Sequence, residues 1–510
     1  EGFGRLVHSI GVSVETDRPE ETAEFVFQMY GKKDLYGGGT NLTASLKCDG
    51  MEHRIYLSDY RWTEDDHVPG QIKILFAAPE RMGKVSVRLF LNDGYEAPPE
   101  EEDLVIDMHS EEYCGMISRS LLQLGNPYRI RKAIEKSKAG KEVTLAYIGG
   151  SITQGAGAIP IHTECYAYKS FQLFQNRFST QNNVRFIKAG VGGTPSELGM
   201  IRFDRDVLRE GERPDIVVIE FAVNDEGDET KGVCYESLVR KVLKLPWKPA
   251  VVLLFSVFAN DWNLQERLRP VGDLYDLPMV SIRDAVTPQF SLKCGEGRIL
   301  SKNQFFYDIF HPNNIGHTIM ADCLQYLFER CDAAEPARVG TFVEGMTEEQ
   351  ILSEKLSGPA VIGADFERIF LLDKKNRYVG AKIRAGGFTS TDMELQSVEM
   401  DGNLTQTPEF PYNWMYDGSR LQMPGFEMEI TCKSLFLIFK DSGEMDVGKA
   451  NVFVNDVYCM TADPHKNNWL HCNAVLLFWK TESRSHKVRI AVTEEDRNKK
   501  FTILGFGYTI

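Results

Sequence analysis

The feature that most constrains this chain is an alternation that runs from about residue 126 to 332. Apolar runs recur at Val143–Ile148, Val184–Ala189, Ile216–Val223, Val251–Phe258 and Met279–Ile282. Helix-like segments lie between them, for example Tyr166–Phe178, Glu197–Arg209 and Tyr235–Leu245. A strand covered by helices on both faces reads as a near-continuous apolar run. The pattern predicts an α/β domain built on a doubly wound parallel sheet. Ligands of such sheets bind beyond the carboxyl ends of the strands. Chemistry is therefore expected just after each apolar run.

The flanks have a different texture. Ala23–Gln28, Gln71–Ala77 and Lys84–Leu91 alternate or run apolar between Gly, Asp and Pro turns. Ser434–Phe439, Asn451–Val457, Ala474–Trp479, Lys487–Val492 and Phe501–Phe506 do the same near the other end. Short strands punctuated in this way predict a β-sandwich on each side. A length of 510 residues also exceeds one ordinary domain. The expected division is 1–125, an N-terminal β-sandwich; 126–335, the α/β domain; and 336–510, a C-terminal β-sandwich. The acidic run Glu96–Asp103 reads as a solvated loop, and no 20–50-residue period points to a solenoid.

Charge narrows the partners. A net charge of −15 argues against nucleic acid, whose phosphates need clustered Lys and Arg. There is no basic stripe for an anionic membrane and no run of 18 apolar residues to span one. The first residues, EGFGRLVHSIGVS, lack a basic segment followed by an apolar one. The ten cysteines form no C-x-x-C pair and no zinc-like spacing with His. The expectation is a cytoplasmic protein with reduced thiols; the alternative is a secreted one with a trimmed signal peptide and one or two disulfides.

The first strand of the α/β region ends in Gly149-Gly150-Ser151-Ile152-Thr153. Glycine permits a sharp turn and close approach of a substrate. Ser151 there is a nucleophile or the cap of the next helix. Thr153 stands where the G-x-S-x-G elbow has its second Gly. The second strand ends in Gly190-Val191-Gly192-Gly193-Thr194, whose N–H groups suit an oxyanion or a phosphate, the latter disfavoured by the lack of a P-loop Lys, with a plain tight turn as the alternative. The third ends in Glu220-Phe221-Ala222-Val223-Asn224-Asp225, where Asn224 could aim an amide into a cleft or serve as a turn residue. Late in the region Asp308 precedes His311 by three, a spacing that lets the carboxylate orient the imidazole.

In this order the motifs resemble the SGNH (GDSL-like) hydrolases, over about 200 residues of the chain. Gly149–Thr153 looks like members that act on carbohydrate esters. Two departures, Gly150 for the usual Asp and Ala222 for the usual Gly, adjoin the reactive groups. The resemblance implies Ser151 as nucleophile, His311 as base and Asp308 as its partner. It implies an oxyanion hole from Ser151 N–H, Gly193 N–H and the Asn224 amide, with no metal and no organic cofactor.

A sandwich beside an SGNH domain resembles bacterial carbohydrate esterases that remove acetyl groups from plant polysaccharides. The expected substrate is thus an O-acetylated carbohydrate, such as acetylated xylan or mannan. The alternatives are a general acyl esterase, thioesterase or lipase, and an inert carbohydrate-binding protein. Trp262 is a candidate for stacking on a sugar at the cleft rim, or else a partly buried aromatic. Trp414, between Tyr412 and Tyr416, reads as core with sugar binding as the alternative. His317 reads as a packing or capping residue, His162 and Glu164 as weak pocket candidates, and Asp225–Glu229 as a solvated loop in preference to a cation site.

Overall fold

The computed structural model describes residues 3–32, 38–78, 81–94, 103–209, 211–334, 347–399, 406–419, 423–467 and 469–510. The acidic run Glu96–Asp103, save Asp103, and the 335/336 division lie outside them. Two compact units emerge: residues 1–100 with the segment 465–468, and residues 101–464 with 469–510.

The first unit is a sandwich of two three-stranded antiparallel sheets. One holds Val7–Thr16 between His53–Tyr56 and Gly83–Leu91; the other holds Thr22–Gly31 between Asn41–Lys47 and Asp66–Leu75. Their period-two apolar residues, Ile10, Val12 and Val14 against Ala23, Phe25, Phe27 and Met29, form one core.

The second unit is centred on a six-stranded sheet: β1 (Leu121–Gln123), β2 (Val143–Gly149), β3 (Val184–Gly190), β4 (Ile216–Glu220), β5 (Ala250–Phe255) and β6 (Met279–Ser281). Their spatial order is β1-β6-β5-β4-β2-β3, parallel except for β1 against β6. Successive residues face opposite cores. Leu145 and Tyr147 pack with helices Tyr166–Phe178 and Asn314–Ala333, whereas Ala146 and Ile148 pack with Ser196–Phe203 and Val233–Leu243. This is the doubly wound sheet that the alternation predicts. The strand β1 lies before residue 126 but belongs to this sheet, so the α/β region begins upstream of the expected division. The third apolar run stops being a strand at Glu220, because Asn224 N–H bonds back to Phe221 O and turns the chain.

Among the described residues the C-terminal sheet is one antiparallel sheet of eight strands. Strand Phe426–Asp441 pairs along its length with His471–Val492, with irregularities between Cys432 and Ser434 and between Leu435 and Phe436. The first bulge reverses the parity of the strand. Before it Phe426, Met428 and Ile430 face the sheet's own core; after it Leu435, Leu437 and Phe439 do. Phe436 and Ile438 are thereby turned outward, where they join Leu198, Ile201 and Phe203 in the core of the α/β domain. Burial of side chains of this size contributes about 1.5–3 kcal/mol each. The run Asn451–Val457, expected as one strand, is instead the end of one strand and the turn to the next, with Asn455 and Asp456 both at positive φ. Trp414 and Tyr416 are core residues, 5% and 6% exposed, and Trp414 packs edge-on against Phe426. Tyr412 is exposed.

Among the described residues no helix is long and apolar enough to cross a membrane, no disulfide joins any cysteines, and no His/Cys/Asp/Glu group is arranged to hold a metal.

Candidate active site

The sheet order sets the site. Strand β2 is flanked by β3 on one side and β4 on the other, so the chain reverses direction of travel across the sheet there. Ser151 follows β2, Gly193 follows β3 and Asn224 follows β4. Ser151 opens the short helix Ser151–Gln154, so its N–H has no acceptor within the helix. Its side chain is not a cap: its Oγ lies 2.9 Å from Nε2 of His311.

The His311 ring is held from behind. Its Nδ1 is 3.0 and 2.9 Å from the two carboxylate oxygens of Asp308. An ionised carboxylate only accepts, so Nδ1 carries the proton and Nε2 is left to accept from the Ser151 hydroxyl. Asp308 Oδ1 also accepts from the amides of Phe310 and His311, each at 2.8 Å. Burial opposes ionisation of Asp308. The bonds from the ring and the two amides outweigh it and hold the carboxyl below its ordinary range. Asn313 then caps helix Asn314–Ala333 through Ile315 and Gly316 N–H, which anchors the end of this loop.

The glycines are needed for space as well as turning. A Cβ on Gly150 would lie 2.2 Å from Oδ1 of Asn224. The Asn224 amide therefore rests against the residue before Ser151, and the Asp usual at position 150 in the family would collide with it. Gly193 has φ +69° in a turn closed by Thr194 N–H and Oγ1 to Val191 O. A Cβ there would meet His471 Nε2 at 2.8 Å and Trp469 Cζ2 at 2.9 Å.

Trp262 is partly buried and stacked on Phe258, with ring centres 5.9 Å apart. Phe258 meets Phe310 edge-on, and Phe310 meets His311. Trp262 thus belongs to the aromatic wall behind the His311 loop. His317 is structural: Nδ1 accepts from Tyr166 N–H, and Nε2 donates to Ala156 O at 3.1 Å. Burial pushes its pKa down to about 4. Glu164 is tied to Lys169. The loop Asp225–Glu229 is less solvated than expected. Asp225 and Asp228 are buried, receiving Ser196 N–H and Gly232 N–H respectively, and Asp228 pairs with Arg267.

Several contributors were not evident from sequence. Glu220 is wholly buried beneath the nucleophile turn and accepts from Thr153 at 3.1 Å and from Ser256; burial pushes its pKa up. Arg202, also buried, donates to Gly149 O and Ala189 O at 2.8 Å each, clamping the ends of β2 and β3. Trp469, Gln396 and His471 come from the C-terminal sheet region to the Gly192–Gly193 turn. Glu220 lies inside the apolar run Ile216–Val223, where nothing singles it out, and nothing local marks the others.

Residues 147–319 match the GDSL-like Lipase/Acylhydrolase family. No curated protein matches the sequence. Among solved structures, the chain is similar to a two-domain esterase (CEX) active on acetylated mannans, with a TM-score of 0.61 and 24% identity over 77% of this chain and 98% of that one. The form co-crystallized with mannopentaose gives the same TM-score and identity, over 77% and 97%. At this identity the likeness is one of fold.

Proposed function

We propose that this chain, whose residues 147–319 form a GDSL-like acylhydrolase domain, is a serine esterase that removes O-acetyl groups from carbohydrates. The observation that carries the esterase reading is the continuous hydrogen-bonded line from Ser151 Oγ through the His311 ring to Asp308. His311 Nε2 takes the Ser151 proton as Oγ attacks the ester carbonyl. The oxyanion is met by N–H of Ser151 and Gly193 and by the Asn224 amide. His311 then protonates the sugar oxygen as its bond to the acyl carbon breaks, and water repeats the sequence to release acetate. Asp308 stabilises the imidazolium at each transfer.

Two observations support a carbohydrate substrate. Trp469, 39% exposed, brings its ring edge beside Gly193, so that a sugar whose ester carbonyl enters the proposed oxyanion hole would pass an aromatic side chain. The fold is also similar to that of an esterase active on acetylated mannans. The deciding experiment is acetate release from acetylated mannan, acetylated xylan and their oligosaccharides, against cleavage of p-nitrophenyl octanoate. Acetate release with poor octanoate turnover is expected; equal or faster octanoate turnover would move the reading to a general acyl esterase or lipase. Ser151→Ala should lower kcat by about 10⁴–10⁶-fold. If that variant keeps wild-type activity, the nucleophile is wrong.

A further inference from the structure

The oxyanion turn has three glycines among four residues, Gly190, Gly192 and Gly193, and glycine backbone is the least self-constrained. A donor aimed at an oxyanion works only if its peptide plane is fixed in advance. Something outside the turn must hold it.

Two side chains of the C-terminal sheet region do so, on consecutive carbonyls. Gln396 is buried, and its Nε2 donates to Gly192 O at 2.8 Å. Its Oε1 accepts from Cys472 N–H at 3.0 Å, so the amide has only one orientation. His471 is also buried, and its Nε2 lies 3.1 Å from Gly193 O; facing a carbonyl, that nitrogen carries a proton. Its Nδ1 lies 3.2 Å from Asn473 Oδ1, and Asn473 Nδ2 donates to Asp441 at 2.8 Å. The carbonyl of Gly192 shares a peptide plane with the N–H of Gly193. Gln396 thus sets the direction of that N–H, and His471 sets the plane that follows it.

We infer that Gln396 and His471 are positioning residues of the oxyanion hole, so that the C-terminal region is an integral part of the catalytic site. This rests on the serine-esterase reading above. Neither residue touches the reacting atoms, and both act through the Gly192–Gly193 backbone.

The test uses the full chain and three readouts: kcat and KM on p-nitrophenyl acetate, labelling of Ser151 by a fluorophosphonate, and thermal unfolding. Gln396→Glu keeps the size but removes the donor. It and His471→Ala should each lower kcat by about 10–100-fold, less than the roughly 10²–10³-fold of a lost oxyanion donor, because the donor is misaimed and not removed. KM should stay within about threefold, since the ester is bound but its transition state is not. Fluorophosphonate labelling, which also builds charge on a phosphoryl oxygen, should slow in parallel. His471→Gln, which restores a donor, should recover most of the rate. Variants that melt like wild type yet keep full kcat overturn the inference. So does a rate loss that His471→Gln fails to restore while the variant remains folded. Where an alanine variant does not fold, the Gln variant alone decides, because a glutamine at 471 with wild-type melting and a tenfold lower rate also counts against it. Should wild type neither cleave the ester nor take the label, the esterase reading itself has failed, a result distinct from those above.

Discussion

Gly150 and Asn224 occupy the same small space. A single methyl at position 150 would sit 2.2 Å from Asn224 Oδ1 and 2.7 Å from Nδ2. These residues lie in the turns that follow neighbouring strands, β2 and β4, whose last paired residues are Gly149 and Glu220. The parallel pairing brings their turns together, and the absence of a side chain at 150 lets the amide settle against the nucleophile turn. Gly150→Ala is therefore expected to displace the Asn224 amide and reduce kcat by about 10²-fold, the cost of losing one oxyanion donor. Gly150→Asp, although Asp is the residue usual in the family, should be at least as damaging here. Kinetics on p-nitrophenyl acetate check both, and wild-type kcat in either variant would remove Asn224 from the oxyanion hole.

Asp308 gives a pH-dependent prediction. Its carboxyl is held below the ordinary value, so its folded pKa is depressed relative to the unfolded chain. The stability it supplies is fully present above the unfolded value near pH 4 and disappears as pH falls through the lower folded value. Asp308→Asn should melt below wild type at pH 6–8, and the two should converge toward pH 3. Activity should fall by about 10⁴-fold at neutral pH, because an amide at 308 favours the wrong tautomer of His311. Melting curves across pH separate this from general instability, which would keep the gap constant.

Arg202 joins the ends of β2 and β3 from below. Its guanidinium bonds Gly149 O, Ala189 O and Asp206, with all three groups out of contact with water. Without Arg202 the buried Asp206 keeps only its longer contact to Arg205 at 3.7 Å, a loss of about 3 kcal/mol, the low end for a broken buried ion pair. Arg202→Met is expected to lose that amount in urea unfolding at pH 7. Because the clamped carbonyls immediately precede Gly150 and Gly190, residual folded enzyme should also show a lower kcat. A loss below about 1 kcal/mol would show that the clamp is dispensable.

How far the sequence could be read follows from where each piece of information resides. The α/β sheet was legible because burial on both faces leaves uninterrupted apolar runs, and function follows strand ends. Ser151, Gly193 and Asn224 sit one turn beyond β2, β3 and β4 for that reason, while the Asp308–His311 spacing is local. The bulge in Phe426–Asp441 was not legible. A bulge changes parity without changing composition, and that parity alone decides that Phe436 and Ile438 face Ile201 and Phe203 instead of their own core. Gln396 and His471 were beyond reach for a related cause: they meet the Gly192–Gly193 turn only through long-range packing, 204 and 278 positions away in sequence. Trp414 was misleading in its alternative reading, since an aromatic cluster looks alike whether it lines a core or a surface.

The buried acids behind Asn224 make the last prediction. Burial, then the nearby charge of Asp228, pushes Asp225 up to about 8; burial likewise pushes Glu197 up to about 7. In the unfolded chain both ionise near pH 4. Between those values the folded state holds protons that the unfolded state has released. Their stabilising contribution is thus complete below pH 4 and is lost as pH rises through about 7 to 8. Wild type should become less stable between pH 5 and pH 8.5. Asp225→Asn keeps the Oδ1 acceptor for Ser196 N–H and removes the group that must ionise. Its melting temperature should fall less over the same range, so that the variant gains on wild type as the medium becomes alkaline. Parallel melting curves for the two proteins from pH 5 to 8.5 would mean that Asp225 does not ionise late in the folded chain.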